Sequence, residues 1–213
     1  MTDALKPAVE SLLFVAGDPL PLRRIQEALE LSEPGPVREA VSALAAEYEA
    51  RGGGFYLAEV AGGYQLRTRP EYRDAIRRLL SAGHTRLSKA ALETLAIVAY
   101  RQPVMRADID HVRGVDSGGV LRALLERKLI RVLGRKEIPG RPLVYGTTRQ
   151  FLEVFGLRDL KDLPTLKEIT AMGEAEDADG EAAPKPSDGF DAGSDDSADE
   201  RAGDAAGSDG KNA

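Results

Sequence analysis

The chain has 213 residues, 30% of them charged, a net charge of −6 and no cysteine. That length allows one or two domains of roughly 100–150 residues each. The missing thiols exclude disulfides and thiolate metal sites and fit a reducing cytoplasm; no apolar run approaches the roughly 18–20 residues that span a bilayer, and the acidic start MTDALKPAVESLLFVAGDP lacks the basic opening of a secretory signal.

Leu5, Val9, Leu12, Leu13 and Ala16 recur at helical spacing and predict a first helix over about 3–16, ended by Gly17-Asp18-Pro19. Leu22, Ile25, Ala28 and Leu29 suggest a short second helix, and Pro34-Gly35-Pro36 then breaks the chain. Val37, Val41, Leu44, Ala45 and Tyr48 mark one face of a third helix that Gly52-Gly53-Gly54 stops. In FYLAEVAGGYQLRT the residues from Phe55 to Val60 alternate, and Gly62-Gly63 supplies a hairpin turn. A short helix over about 71–82 follows.

The order helix, helix, helix, hairpin then returns without the sequence returning. Ser88 is the expected N-cap of a helix whose apolar face is Leu92, Leu95, Ala96 and Ala99, with Leu87 and Leu92 placed for a hydrophobic staple. Gln102-Pro103 ends it. A short helix over 107–112 closes at Gly114, and Asp116 or Ser117 caps the next, with Val120, Leu121, Leu124 and Leu125 pointing inward. Ile130, Val132, Leu143 and Tyr145 form two strands around a Pro139-Gly140 turn. A last helix spans 149–155, and Leu157, Leu160, Leu163 and Leu166 form a docking strip or a further helix.

The last region differs in charge. Residues 174–213 hold thirteen acids and three bases, a net −10, with Phe190 as the one aromatic. Such a segment buries too little apolar surface to offset its ordering entropy, so disorder is expected. Two readings stand: a solubilising tail, or a nucleic-acid mimic that competes for a basic body. That body exists, since residues 81–149 hold thirteen bases and six acids, a net +7.

The fold class is therefore mainly α with small β-hairpins (α+β), two tandem winged-helix units and an acidic tail. Its modules bind rather than catalyse. No nucleophile, base and acid come together; Ser88 and Lys89 are adjacent on a helix and face apart. His84 and His111 lack a metal-site pattern, and the triple glycine lacks the Lys-Ser/Thr of a phosphate loop. No catalytic residue, metal or cofactor is expected.

A DNA-reading helix would run over 117–129 with Arg122, Arg127 and Lys128, but it opens Asp116-Ser117-Gly118-Gly119, a poor start for contacting base edges. The second hairpin carries Arg131, Arg135, Lys136, Glu137 and Arg141; it reads equally as a phosphate- or partner-contacting wing and as a solvated edge. Pro139 and Pro142 stiffen it, which lowers the entropy lost on docking. The corner Tyr100-Arg101-Gln102-Pro103 is a helix end favoured by Arg against the dipole, yet that logic does not require Tyr100 or Gln102.

The stretches SKAALETLAIVAYRQPV, IDHVRGVDSGGVLRALLERKLI, GRKEIPGRPLVYGTT and FLEVFGLRDLKDLP closely resemble the bacterial segregation and condensation protein B family, near-continuously over 88–169. VESLLFVAGDPL looks like that family's opening helix, and the tail shows no resemblance. The resemblance implies two winged-helix domains, 1–80 for dimerisation and 88–169 for docking the kleisin (segregation and condensation protein A), joined by a linker at 81–87 and followed by the tail at 170–213. It implies a homodimer, an SMC protein reached through the kleisin, and a cytoplasmic, nucleoid-associated role in chromosome condensation and segregation, without enzymatic activity. Within it, Tyr100, Arg101, Arg135, Lys136, Arg141 and Tyr145 are assigned to the kleisin platform, and Phe14 and Leu20 to dimer contacts. Weak, sequence-independent DNA affinity is compatible with this. A tandem winged-helix transcriptional regulator is the alternative.

Overall fold

A computed structural model describes residues 2–80, 87–165 and 168. The acidic tail and nearly all of the expected linker lie outside them. Residues up to Thr165 form one compact unit built on two hydrophobic cores. The architecture is mixed: eight α-helices and two small antiparallel sheets among the described residues.

The first core is made by α1 (Thr2–Val15), α2 (Leu22–Ala28), α3 (Gly35–Arg51) and the hairpin β1 (Phe55–Val60)–β2 (Gly63–Thr68). Val9 and Leu13 of α1 meet Ile25 of α2 and Val37, Val41 and Leu44 of α3, as their spacing predicts. Each such side chain, fully removed from water, contributes about 1.5–3 kcal/mol. Gly52 ends α3 in the left-handed region at φ 60°.

The first hairpin turns one residue earlier than its glycines suggest. Ala61 and Gly62, at φ 50° and 69°, are the two turn residues, and Gly63 opens β2 opposite Val60. Two positive φ values give a turn whose twist matches the strands. Gly63 is needed for another reason: a Cβ there would lie 2.8–2.9 Å from backbone atoms of Pro19 and Leu20. A short 3-10 turn, Pro70–Tyr72, leads into α4 (Arg73–Leu80), which starts two residues later than expected; its expected end at about 82 lies outside the described residues.

The second core is made by α5 (Lys89–Arg101), α6 (Arg106–Arg113), α7 (Gly118–Glu126), a three-stranded sheet and α8 (Arg149–Phe155). Ser88 caps α5, its Oγ accepting from the Ala91 amide at 3.2 Å. The buried face of α5 is Ala91, Thr94, Leu95, Val98 and Ala99. Leu92, expected in that face and in a staple, is 45% exposed. Thr94 takes the inner place because its hydroxyl is satisfied within the helix, donating to the Ala90 carbonyl at 2.8 Å.

The sheet has the order β3 (Val104–Met105), β5 (Leu143–Thr147), β4 (Ile130–Arg135). β3 is too short to leave a sequence pattern; it pairs Val104 with Tyr145 and Met105 with Val144. The Ile138 carbonyl accepts from the Arg141 amide at 2.9 Å across Pro139-Gly140, with Gly140 at φ 84°, the turn that a Pro-Gly pair favours. α8 has the expected bounds. Leu157 and Leu163 of the leucine strip pack on the second core, Leu160 is exposed in a 3-10 turn, and Leu166 lies outside the described residues.

Candidate docking surfaces

The first surface lies at the end of α1. Phe14 and Val15 follow the buried Leu13 by one and two positions, so helix geometry turns them outward, where they are 81% and 82% exposed. Beside them Phe55 and Leu66 of the first hairpin line an open groove of about 480 Å³ whose other wall is Tyr48. The Tyr48 ring sits 5.3 Å from that of Phe55. Its hydroxyl donates to the Glu10 carboxylate. Burial and that hydrogen bond push the phenol up to about 12, so it stays protonated and holds the groove floor to α1. Leu20, paired with Phe14 in the sequence reading, has a different place. It packs against the first core and its backbone bridges to Tyr64. The Leu20 amide donates to the Tyr64 carbonyl at 2.8 Å, and its half-buried side chain packs on the first core.

The second surface is the end of α5 with the second hairpin. Tyr100 is 43% exposed and its hydroxyl donates to the Pro164 carbonyl at 2.6 Å, so the tyrosine anchors the closing segment of the unit. Arg101, next along, is exposed. The Gln102–Pro103 peptide is cis. Gln102 has the role that its position at a helix end did not explain: its Oε1 accepts from the Thr147 amide at 2.8 Å and its Nε2 donates to the Ala99 carbonyl at 3.1 Å, tying α5 to β5. In the hairpin, residues 131–141 are all exposed. Arg135 folds back to the Arg141 carbonyl at 3.1 Å, Arg141 reaches Glu137 at 3.9 Å, and the Lys136 amide donates to the Pro142 carbonyl at 3.0 Å. Arg135, Lys136 and Arg141 therefore share one stiff, exposed tip. Tyr145 does not join them: it is 7% exposed and belongs to the second core, because β5 is the central strand.

The acidic start of α7 is an internal knot. Asp116 accepts from the Gly118 amide at 2.8 Å, doing the capping that Ser117 does not, and Asp110 accepts from the Ser117 amide at 2.7 Å. Arg106 pairs with both carboxylates. Burial alone would raise the Asp110 carboxyl; the Ser117 and Arg106 hydrogen bonds outweigh it and hold the group below its usual range. The outward residues of α7 are Gly119, Arg122, Ala123 and Glu126, one cation and one anion on a nearly bare helix.

A third feature has no sequence signal. The side chains of Arg149 and Glu153 on α8, and the backbone after it, face the first hairpin. Arg149 donates to the carbonyls of Ala61 at 3.0 Å and Pro19 at 2.8 Å. Arg67 donates to the Glu153 carbonyl at 2.7 Å, and Gln65 to the Glu153 carboxylate at 3.1 Å.

Among the described residues no group of three His, Cys, Asp or Glu could hold a metal ion, and no helix is long and apolar enough to cross a membrane.

Comparison with known proteins decides the family. The model of the segregation and condensation complex subunit ScpB matches residues 7–166. The chain belongs to the ScpB family. Segregation and condensation protein B of Syntrophotalea carbinolica is 56% identical over 171 residues, covering 80% of this chain and 86% of that one. Among solved structures, ScpB from Mycobacterium tuberculosis is 37% identical over 74% of this chain and 98% of its own, with a TM-score of 0.36. A dimer of a ScpB N-terminal domain complexed with a ScpA peptide is 32% identical over 36% of this chain and 98% of that one, with a TM-score of 0.33. The family match spans both cores, so the resemblance read from residues 88–169 extends to the first core as well.

Proposed function

We propose that this chain is a non-enzymatic subunit of the bacterial SMC complex, which binds the kleisin segregation and condensation protein A as a homodimer and supports chromosome condensation and segregation. The observation that carries this is the ScpB family match over residues 7–166, across both cores. On this reading each core belongs to a winged helix, residues 1–80 serving dimerisation and 88–169 kleisin docking, and the SMC protein is reached through the kleisin.

The surfaces divide the two tasks by their chemistry. A symmetric dimer needs a self-complementary apolar face, and Phe14 with Val15, Phe55 and Leu66 offers one. Kleisin docking falls to Tyr100, Arg101, Arg135, Lys136 and Arg141, where exposed cations stand on a rigid tip. A dimer presents this tip twice, so one elongated partner gains effective concentration at its second contact. The alternative of a DNA-binding regulator draws no support from α7, whose outward face offers Arg122 against Glu126 and no Asn or Gln for base edges.

The test is light scattering of the full chain alone and mixed with its kleisin, repeated with Phe14→Asp and with Arg101→Glu/Arg141→Glu. The expected results are a dimer that Phe14→Asp turns into monomer, and a kleisin complex that the double charge reversal weakens by about tenfold or more. Unchanged kleisin binding in the double variant removes the platform; a monomeric parent chain removes the dimer.

A further inference from the structure

α8 has two working faces. Phe151 is 3% exposed in the second core, and the Thr148 hydroxyl caps the helix by accepting from the Phe151 amide at 3.1 Å, so α8 moves with that core. Arg149 and Glu153 are four residues apart and share a face; Phe151 lies about 200° from Arg149 at about 100° per residue, on the opposite side. The outer face meets three separate stretches of the first core: the Pro19 loop, the Ala61-Gly62 turn and the strand residues Gln65 and Arg67. Just past α8 the backbone joins in. The Ala61 amide donates to the Leu157 carbonyl at 2.8 Å and the Gly62 amide to the Arg158 carbonyl at 3.0 Å.

These contacts fall on the turn of the first hairpin. Ala61 holds φ 50°, a conformation that costs a residue with a Cβ and favours glycine. Both turn amides point away from their own hairpin and are satisfied by the second core's chain. The surroundings are polar: an open cleft beside these contacts is lined by Asp18, Arg67, Arg149, Gln150 and Glu153, with Pro19 and Val154. Interfaces held by apolar burial stay shut, whereas one held by hydrogen bonds to carbonyls exchanges them with water at small net cost.

We propose that residues 149–158 are a polar latch that sets the orientation of the second docking surface relative to the first, with Arg149 as its positioning residue. The latch itself rests on the hydrogen bonds above; its consequence for kleisin binding rests on the two-surface reading of the previous subsection. A kleisin that spans the two tips of the dimer binds best when the latch holds each tip at a fixed orientation to the dimer surface, and linkage then requires that the bound kleisin tighten the latch in return. Arg149 suits the position because its planar fork serves two carbonyls at once, which a lysine ammonium on one stem does not do in the same geometry.

The experiment uses the full chain and reads amide hydrogen exchange by NMR. In the parent protein the Ala61 and Gly62 amides exchange about tenfold or more slowly than open-turn amides, and slow further when the kleisin is added. In Arg149→Ala/Arg67→Ala both amides speed up by about tenfold, while the Ala58 amide, in the hydrogen-bonded pair with Gln65 of the same hairpin, keeps its protection and so reports an intact fold. Arg149→Lys falls between the two. Kleisin affinity of the double variant drops severalfold. Unprotected Ala61 and Gly62 amides in the parent, or protection that survives the double substitution, overturns the latch. Protection lost with kleisin affinity unchanged overturns its orienting role. A parent chain that binds no kleisin overturns the docking reading and not the latch, which the exchange rates of the two amides decide alone.

Discussion

The two cores are built by the same order of elements and end in opposite surfaces. In the first, the hairpin is short-turned and lies beside an apolar groove; Phe14 and Val15 stand in solvent at its rim. In the second, the hairpin is longer and projects a tip of arginine and lysine. Helix starts differ too: α2 and α3 begin behind Pro21 and Pro34 with no side-chain cap, whereas α5 and α8 are capped by Ser88 and Thr148. The lesson is that topology fixes where a surface lies, and the residues at a few outward positions decide what it can bind.

The largest effects should come from cutting each core. Ile25→Ala in the first and Leu124→Ala in the second each remove a side chain that is 0% exposed, and each should cost about 2–5 kcal/mol. Denaturant melts followed by tyrosine fluorescence decide whether the cores are coupled. With the latch closed, either substitution shifts one shared transition; two separated transitions would mean that the cores unfold independently.

The glycines of the two hairpins give a finer contrast. A Cβ at Gly63 meets backbone of Pro19 and Leu20 at 2.8–2.9 Å, and a Cβ at Gly146 meets the Leu133 and Gln102 side chains at 2.7 and 2.9 Å. Backbone yields less than the end of a leucine, so Gly63→Ala should cost about 1–3 kcal/mol and Gly146→Ala less. Equal losses in thermal stability would show that Gln102, held by Thr147 and Ala99, is as rigid as the backbone. Smaller still, Ser88→Ala removes the α5 cap and should cost about 1 kcal/mol, read from the same melts.

These contrasts also show what a sequence discloses. Helices with a continuous apolar stripe, such as α1 and α3, were legible because period and breaker agree: Val9 and Leu13 lie on one face, and Gly52 stops α3. The face of α5 was misread because Thr94 counts as polar in a pattern yet is satisfied within its own helix turn. The burial of Tyr145 leaves no sequence signal, because the two-residue β3 that makes β5 the central strand is too short to show a pattern. The exposure of Phe14 follows from its place one helical position after the buried Leu13. The contacts of Arg149 and Arg67 were not, because their acceptors are main-chain carbonyls, which every residue carries.

The first core also carries a pH dependence that its groove wall creates. Tyr48 of the first core has its phenol raised from the ordinary 10.0 to about 12 by burial and by the hydrogen bond it donates to Glu10. A raised acid favours its protonated form in the folded state, so its stabilisation is complete below the unfolded value of 10.0 and is lost as pH rises through about 12. Stability measured by denaturant between pH 9 and 12 should therefore fall in the parent chain, and Tyr48→Phe should flatten that fall while starting lower, since it leaves Glu10 without its donor. A slope that persists in Tyr48→Phe would move the alkaline sensitivity elsewhere and leave the floor of the groove without its proposed tether.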